Sequence, residues 1–249
     1  MLAAVYISTA VLIFAQTAEE KEKAEKPNNA WTYGVEADFN SIYIWRSLAW
    51  SQGAVMQPSI WAGKSGFSLS VWGNFVLNKE ANQGQFNEFD FRLSYQYKWG
   101  SLTLEPAVQF YAYLNQPGEP TTGELSFKAS YDLAPFAIET AHYFDFMEYG
   151  GAWVGELGLE YHQEITSELT LDAAIRGLMA NSKFNEIYIG WRKTAVNSIV
   201  AEISLTYNLT DVIYIRPHFE WNKILDADLR SWVDKPNIVN FGIAIGIEY

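Results

Sequence analysis

Arg46, Asp90, Arg92, Asp172, Arg176, Glu202, Arg216 and Glu220 are the side chains whose placement could do chemistry, and all but Arg46 are flanked on both sides by apolar residues or glycine. Successive side chains of an extended strand point to opposite faces, so these charges share one face and their neighbours the other. A charged wall of that kind either pairs opposite signs across adjacent strands or sorts solutes by sign. An arginine turned toward lipid costs about 2–4 kcal/mol at the bilayer midplane, which drives such residues inward in a membrane setting. The expectation is a polar interior whose narrowest part has Arg46, Arg92, Arg176 and Arg216 on one side. Asp90, Asp172, Glu202 and Glu220 stand opposite.

Other chemistries find less support. A hydrolytic Ser–His site needs the two side chains within hydrogen-bond reach and a third group to orient the imidazole. His142, His162 and His218 have no serine nearby in a recognisable motif. No enzyme is expected; a lipid hydrolase working from within a barrel is the less favoured alternative, with His142 its test residue. No two histidines have metal-ligand spacing on one face, and the absence of cysteine removes thiolate zinc sites and disulfides. No glycine-rich phosphate loop is present, so no cofactor is expected. A net charge of −12 argues against nucleic acid as a partner.

The elements that must hold these charges are long alternating strands. Over residues 88–99, Glu88, Asp90, Arg92, Ser94, Gln96 and Lys98 share one parity, and Phe89, Phe91, Leu93, Tyr95, Tyr97 and Trp99 the other. That run is about twice a typical soluble strand and close to the 9–11 residues with which a tilted strand crosses a bilayer. Trp31, Tyr33, Val35, Ala37 and Phe39 likewise oppose Thr32, Gly34, Glu36 and Asp38, and the aromatic parity can run on through Tyr43 and Trp45. Similar alternation covers 67–77, 101–110, 124–131, 153–161, 169–176, 198–207 and 213–221. The strand at 55–64, which carries Pro58, and the facing of 136–147 stay open. On the polar parity, Glu36, Asp38, Glu88, Glu105, Glu124, Glu156 and Glu160 join the candidate carboxylates, against Lys98 and Lys128 among further bases. An acid-rich lumen favours cations or neutral solutes.

The links alternate as well. Short turns at 64–66, 99–101, 132–135, 163–167 and 208–211 alternate with longer polar links near 47–53, 78–87, 115–121, 145–151, 181–197 and 225–237. Tight turns on one rim and large loops on the other mark an outer-membrane barrel. The count gives an all-β, antiparallel transmembrane β-barrel of about twelve strands over residues 31–249. Residues 183–194 alternate too, but as a full stave they would put the next turn on the wrong rim, so we read them as an extracellular extension. An aromatic share of 16% suits the girdles where a barrel meets the membrane surface.

At the start, residues 2–14 form an apolar run too short to span a membrane, so 1–18 reads as a signal peptide cleaved after Ala15 or Ala18. Residues 19–30 read as a charged periplasmic leader. The chain ends on Val239, Phe241, Ile243, Ile245, Ile247 and Tyr249 sharing one face. A terminal strand closing on an aromatic resembles the signal that outer-membrane barrels present to their assembly machinery. The expected partners are that machinery, outer-membrane lipids and lipopolysaccharide, and small solutes.

Ser41-Ile-Tyr43-Ile-Trp45-Arg46-Ser47, with Ser51 following and Gln57-Pro58 beyond, resembles the hallmark of the TorF porin family. Members carry a Ser, a Tyr, an aromatic, an Arg and usually a Gly at the end of the first strand; here Ser47 replaces that Gly. The resemblance implies an outer-membrane barrel with a channel role and undefined substrates. A closed barrel serving a structural or surface-binding role is the other reading of the same strands.

Overall fold

Except for 183–194, each long segment of period two becomes a strand in the computed structural model, which describes residues 29–249. The signal peptide and all but the end of the leader read from the sequence lie outside the described residues. In chain order the elements are β1 (Thr32–Asn40), β2 (Ile44–Trp45), β3 (Leu48–Ala49), β4 (Val55–Lys64), β5 (Phe67–Val76), β6 (Phe86–Tyr95), β7 (Tyr97–Trp99) and β8 (Leu102–Tyr113). There follow β9 (Thr122–Leu133), β10 (Phe136–Asp145), β11 (Trp153–Glu164), β12 (Leu169–Ala180), α1 (Ser182–Tyr188), β13 (Ala195–Asn208), β14 (Ile213–Ile224), α2 (Ala227–Arg230) and β15 (Asn237–Glu248).

Apart from β2 and β3, which pair only with each other, each strand runs antiparallel to its neighbour, and β15 returns to pair with β1. β6 and β7 form one stave, interrupted at Gln96, whose N–H donates to Gly66 O at 2.7 Å. The result is a closed antiparallel barrel of 12 strands with no free edge. Short turns share a rim with the start of β1 and the end of β15; the six longer links share the other.

The alternation decides the solvent of each face. Leu157 is 64% exposed and Phe241 62%, both in the middle of their strands, whereas Glu156, Glu160 and Asn240 beside them are buried inside. An apolar exterior this continuous needs acyl chains around it. Aromatics gather at the short-turn rim, where Tyr33 stacks on Tyr249 (5.4 Å), Phe67 meets Tyr95 (4.6 Å) and Phe136 meets Tyr161 (5.3 Å). They form the interfacial girdle expected there.

The seam is strapped from inside. β15 turns small residues inward, so side chains of β1 and β14 meet over it. Glu36 accepts from Tyr214 Oη (2.6 Å) and Arg216 Nη2 (2.8 Å), and His218 Nε2 lies 2.9 Å from Asp38 Oδ1. A Cβ at Gly246 would sit 2.3 Å from the Tyr214 ring, and one at Gly242 2.2 Å from His218. We therefore expect Gly246→Val to lower stability by about 1–3 kcal/mol, the usual cost of overpacking. Comparing the heat-shifted and folded bands of refolded protein on a gel over a temperature series measures it; an unchanged midpoint would show that the strap is slack.

Several expectations need correction or completion. Tyr43 and Trp45 do not continue the outward parity of β1: that strand ends at Asn40, and the chain folds into the lumen, where Tyr43 is buried. Residues 183–194 do belong to a long-rim link, but they open with the helix α1 rather than an extended ribbon. Asn181 caps it, accepting from Phe184 N (2.9 Å), and one helical turn sets Phe184 against Tyr188 (4.6 Å) on a single face. The strand carrying Pro58 is a regular stave. β10 directs Glu139, Ala141 and Asp145 inward and leaves Ile138 and Phe144 exposed, which places His142 on the outer face, its ring stacked on Trp153 (5.9 Å).

Candidate functional site

The residues that follow β1 make a hairpin that reaches across the lumen. Ile44 pairs with Ala49 and Trp45 with Leu48, leaving Arg46 and Ser47 as a two-residue turn. Both have positive φ, +49° and +65°, the requirement of a type I′ turn usually met by Asn or Gly. Non-glycine residues in that region cost about 1–3 kcal/mol each and persist where their surroundings hold them.

The surroundings do so here. Arg46 gives a two-pronged bond to Glu124 on β9, Nη1 to Oε1 at 2.7 Å and Nη2 to Oε2 at 2.6 Å. Tyr111 Oη donates to the same carboxylate at 2.7 Å. The guanidinium carbon lies 4.3 Å from the Trp45 ring centroid and 4.6 Å from that of Tyr143. Beside it, Ser47 Oγ donates to Asn222 Oδ1 (2.9 Å) and hydrogen-bonds Ser198 Oγ (2.7 Å), on β14 and β13. Rings of Trp50, Phe184 and Tyr188 pack on Trp45 at 5.7, 5.9 and 5.0 Å. The hairpin thus crosses the lumen near the long-link ends of these strands.

Its root rests on a chain of amides. Asn240 Nδ2 donates to Asn40 Oδ1 (2.6 Å), Asn40 Nδ2 to Gln57 Oε1 (3.0 Å), Gln57 Nε2 to Asn74 Oδ1 (3.1 Å) and Asn74 Nδ2 to Asn87 Oδ1 (2.7 Å). The chain crosses β15, β1, β4, β5 and β6 on the inner wall. Ser41 joins it, its backbone N–H and Oγ both donating to Asn240 Oδ1. On the outer rim Lys193 bridges Asp226 (2.8 Å) and Asp228 (2.7 Å), tying two loops together; its ammonium holds the Asp226 carboxyl below the usual carboxylate range.

Of the eight side chains singled out from sequence, one arginine and one carboxylate meet directly: Arg176 and Glu202. Arg92 Nη2 instead reaches Glu105 (2.7 Å), Arg216 reaches Glu36, and Arg46 reaches Glu124. Asp90 accepts from Gln109 (2.9 Å), Asp172 bonds His162 (2.7 Å), and Glu220 accepts from Asn222 (2.6 Å). A narrow void beside the hairpin tip brings Arg46, Arg176 and Glu220 together with Glu156. Asp90 Oδ1, Glu156 Oε1, Glu160 Oε1 and Glu248 Oε1 are buried and accept no hydrogen bond from the described residues. The wall therefore has carboxylate oxygens left over after its arginines are matched. Glu139, which pairs with Lys128, and Asp145 are lumen acids that sequence reasoning did not place. The amide chain was also missed, although Asn40, Gln57, Asn74 and Asn240 each sit at a lumen-facing position of a strand.

The histidine contacts go elsewhere than to a serine: His162 to Asp172, His218 to Asp38, and His142 Nε2 to Thr140 Oγ1 at 3.4 Å. Among the described residues no group of three or more His, Cys, Asp or Glu is arranged to hold a metal ion.

Strand count, closure, an apolar exterior and a charged interior define a transmembrane β-barrel of the bacterial outer-membrane type. No family model matches the chain, and no curated protein matches it. Solved structures do. The NanC porin is similar at a TM-score of 0.57 and 16% identity, over 87% of this chain and 98% of that one. The COG4313 outer membrane channel from Pseudomonas putida F1 gives 0.55 and 8%, over 94% and 100%. The KdgM porin, solved in complex with disordered oligogalacturonate, gives 0.50 and 12%, over 88% and 98%. At these identities the likeness is one of fold.

Proposed function

We propose that this protein is a porin-like channel for the passive diffusion of small neutral or cationic solutes across an outer membrane. The observation that carries this is the acid excess of the inner wall, with four buried carboxylate oxygens left without a donor among the described residues. Rings of one sign in a low-dielectric tube favour the opposite sign. Membership of the TorF family belongs to the same reading: its hallmark residues build the hairpin that crosses the lumen. So does delivery by the barrel assembly machinery through the strand ending at Tyr249, after removal of residues 1–18. Lipids and lipopolysaccharide contact the apolar exterior. Arg46, Asp90, Arg92, Asp172, Arg176, Glu202, Arg216 and Glu220 would line the route and its narrowest part.

Purified protein in a planar bilayer under a potassium chloride gradient tests the reading. Current with a reversal potential on the cation side supports it, and Glu156→Gln with Glu160→Gln should move that potential toward zero. Anion selectivity would overturn the solute class. The filled lumen favours a second reading, a closed barrel with a structural or surface-binding role. Silence at all voltages, from protein shown to be folded, would favour it.

A further inference from the structure

The hairpin that fills the lumen is built differently from the wall around it. Among the described residues, the backbone of 42–53 bonds to itself and to side chains, and no ladder hydrogen bond joins it to a wall strand. Trp50 N donates to Tyr43 O (2.8 Å), Tyr43 N to Ser51 Oγ (2.8 Å) and Ile42 N to Asn240 Oδ1 (3.3 Å). A two-stranded hairpin without a third strand is marginal alone, so its place depends on side-chain contacts. Part of its apolar packing is on Ile189 and Leu229, which themselves lie in long-rim loops. At the turn itself the hydrogen bonds to the wall are polar and few, Arg46 on Glu124 and Ser47 on Ser198 and Asn222, while Trp45 and Leu48 on either side pack on apolar wall residues such as Val154 and Ile224. Water and ions can replace each of those bonds, so the latch at the turn can open without a permanent cost in unmade hydrogen bonds. The two left-handed residues at the tip add a bias toward release, since nothing local favours that conformation for Arg or Ser.

We propose that this hairpin is a gate, a strap that leaves the lumen when the Arg46–Glu124 latch opens, rather than a fixed constriction. The inference rests on the channel reading above. Closed and open forms differ by the latch, so the open fraction follows the free energy of that bond. Removing half of a charge-assisted pair should raise the open fraction about tenfold or more.

The chain has no cysteine, so an introduced pair can react only with itself. Ser47 Oγ and Ser198 Oγ are 2.7 Å apart, close enough for a disulfide between Ser47→Cys and Ser198→Cys. The experiment records single-channel potassium currents from the full chain in three forms. The oxidised double variant should show no openings, and dithiothreitol should restore them. Glu124→Gln should spend about ten times longer open than the unmodified chain. A third form, with residues 43–51 replaced by a short Gly-Ser linker, should conduct without closing. If this third form conducts while oxidised and reduced double variants carry the same current, solute passes beside a fixed hairpin and the gate is overturned. If the third form is folded yet silent, the channel reading itself fails and takes the gate with it.

Discussion

Glu124→Ala is expected to weaken the docked state of the lumen hairpin by about 3–5 kcal/mol, the cost of stripping a buried charge of its partner. Arg46 is 6% exposed, and its guanidinium has Trp45 and Tyr143 rings beside it. Rings attract a cation, but a contact of that kind supplies about 0.5–2 kcal/mol and cannot stand in for a two-pronged carboxylate. Two routes relieve the orphaned charge: the barrel loses that much stability, or the hairpin carries Arg46 out to water. Trypsin separates them, because it cuts after arginine only where the chain is accessible. The hairpin route predicts that cleavage after Arg46 speeds up by about 100-fold or more while the barrel's thermal midpoint hardly moves. Arg46→Met combined with Glu124→Leu should restore most of the loss, since an apolar pair of similar volume removes both charges together. Slow cleavage and an unchanged midpoint in Glu124→Ala would mean that Arg46 is not held by this carboxylate.

The second large effect tests the two faces of one strand. Leu157→Arg should cost about 2–4 kcal/mol, because Leu157 points outward near the middle of β11, where a cation meets hydrocarbon. Its neighbour Glu156 points inward, so Glu156→Gln should change stability by well under that amount. Urea titrations of protein refolded into detergent or lipid vesicles measure both. Equal losses at the two positions would contradict the assignment of faces and, with it, the barrel. The contrast is sharp because a single residue step reverses the solvent.

The parity of such strands was legible from residue order alone. Glu156 between Gly155 and Leu157, or Asp90 between Phe89 and Phe91, states which face is wet, since a strand has one rule for direction and each position obeys it. Turn and loop lengths then give the rims and the even strand count. Where neighbours blur the contrast the reading stalls: around 139–143 a Thr and a His sit on the lipid parity and an Ala on the lumen parity, so that facing stayed open.

What the tertiary structure alone decided are contacts between residues far apart along the chain. Parity places Arg46 and Glu124 among the polar positions but is silent on their meeting, because that depends on strand stagger and on which way a loop folds. Tyr43 and Trp45 carry on the alternation of β1 yet turn inward, since neighbouring elements offer them Trp72, Phe184 and Tyr188 to pack against. Asn87 joins the amide chain through a register irregularity between Asn74 and Phe75, which no count of alternating residues foresees. Local order along the chain dictates the solvent of each side chain, whereas its partner is a property of closure, when distant strands are brought into register around one lumen.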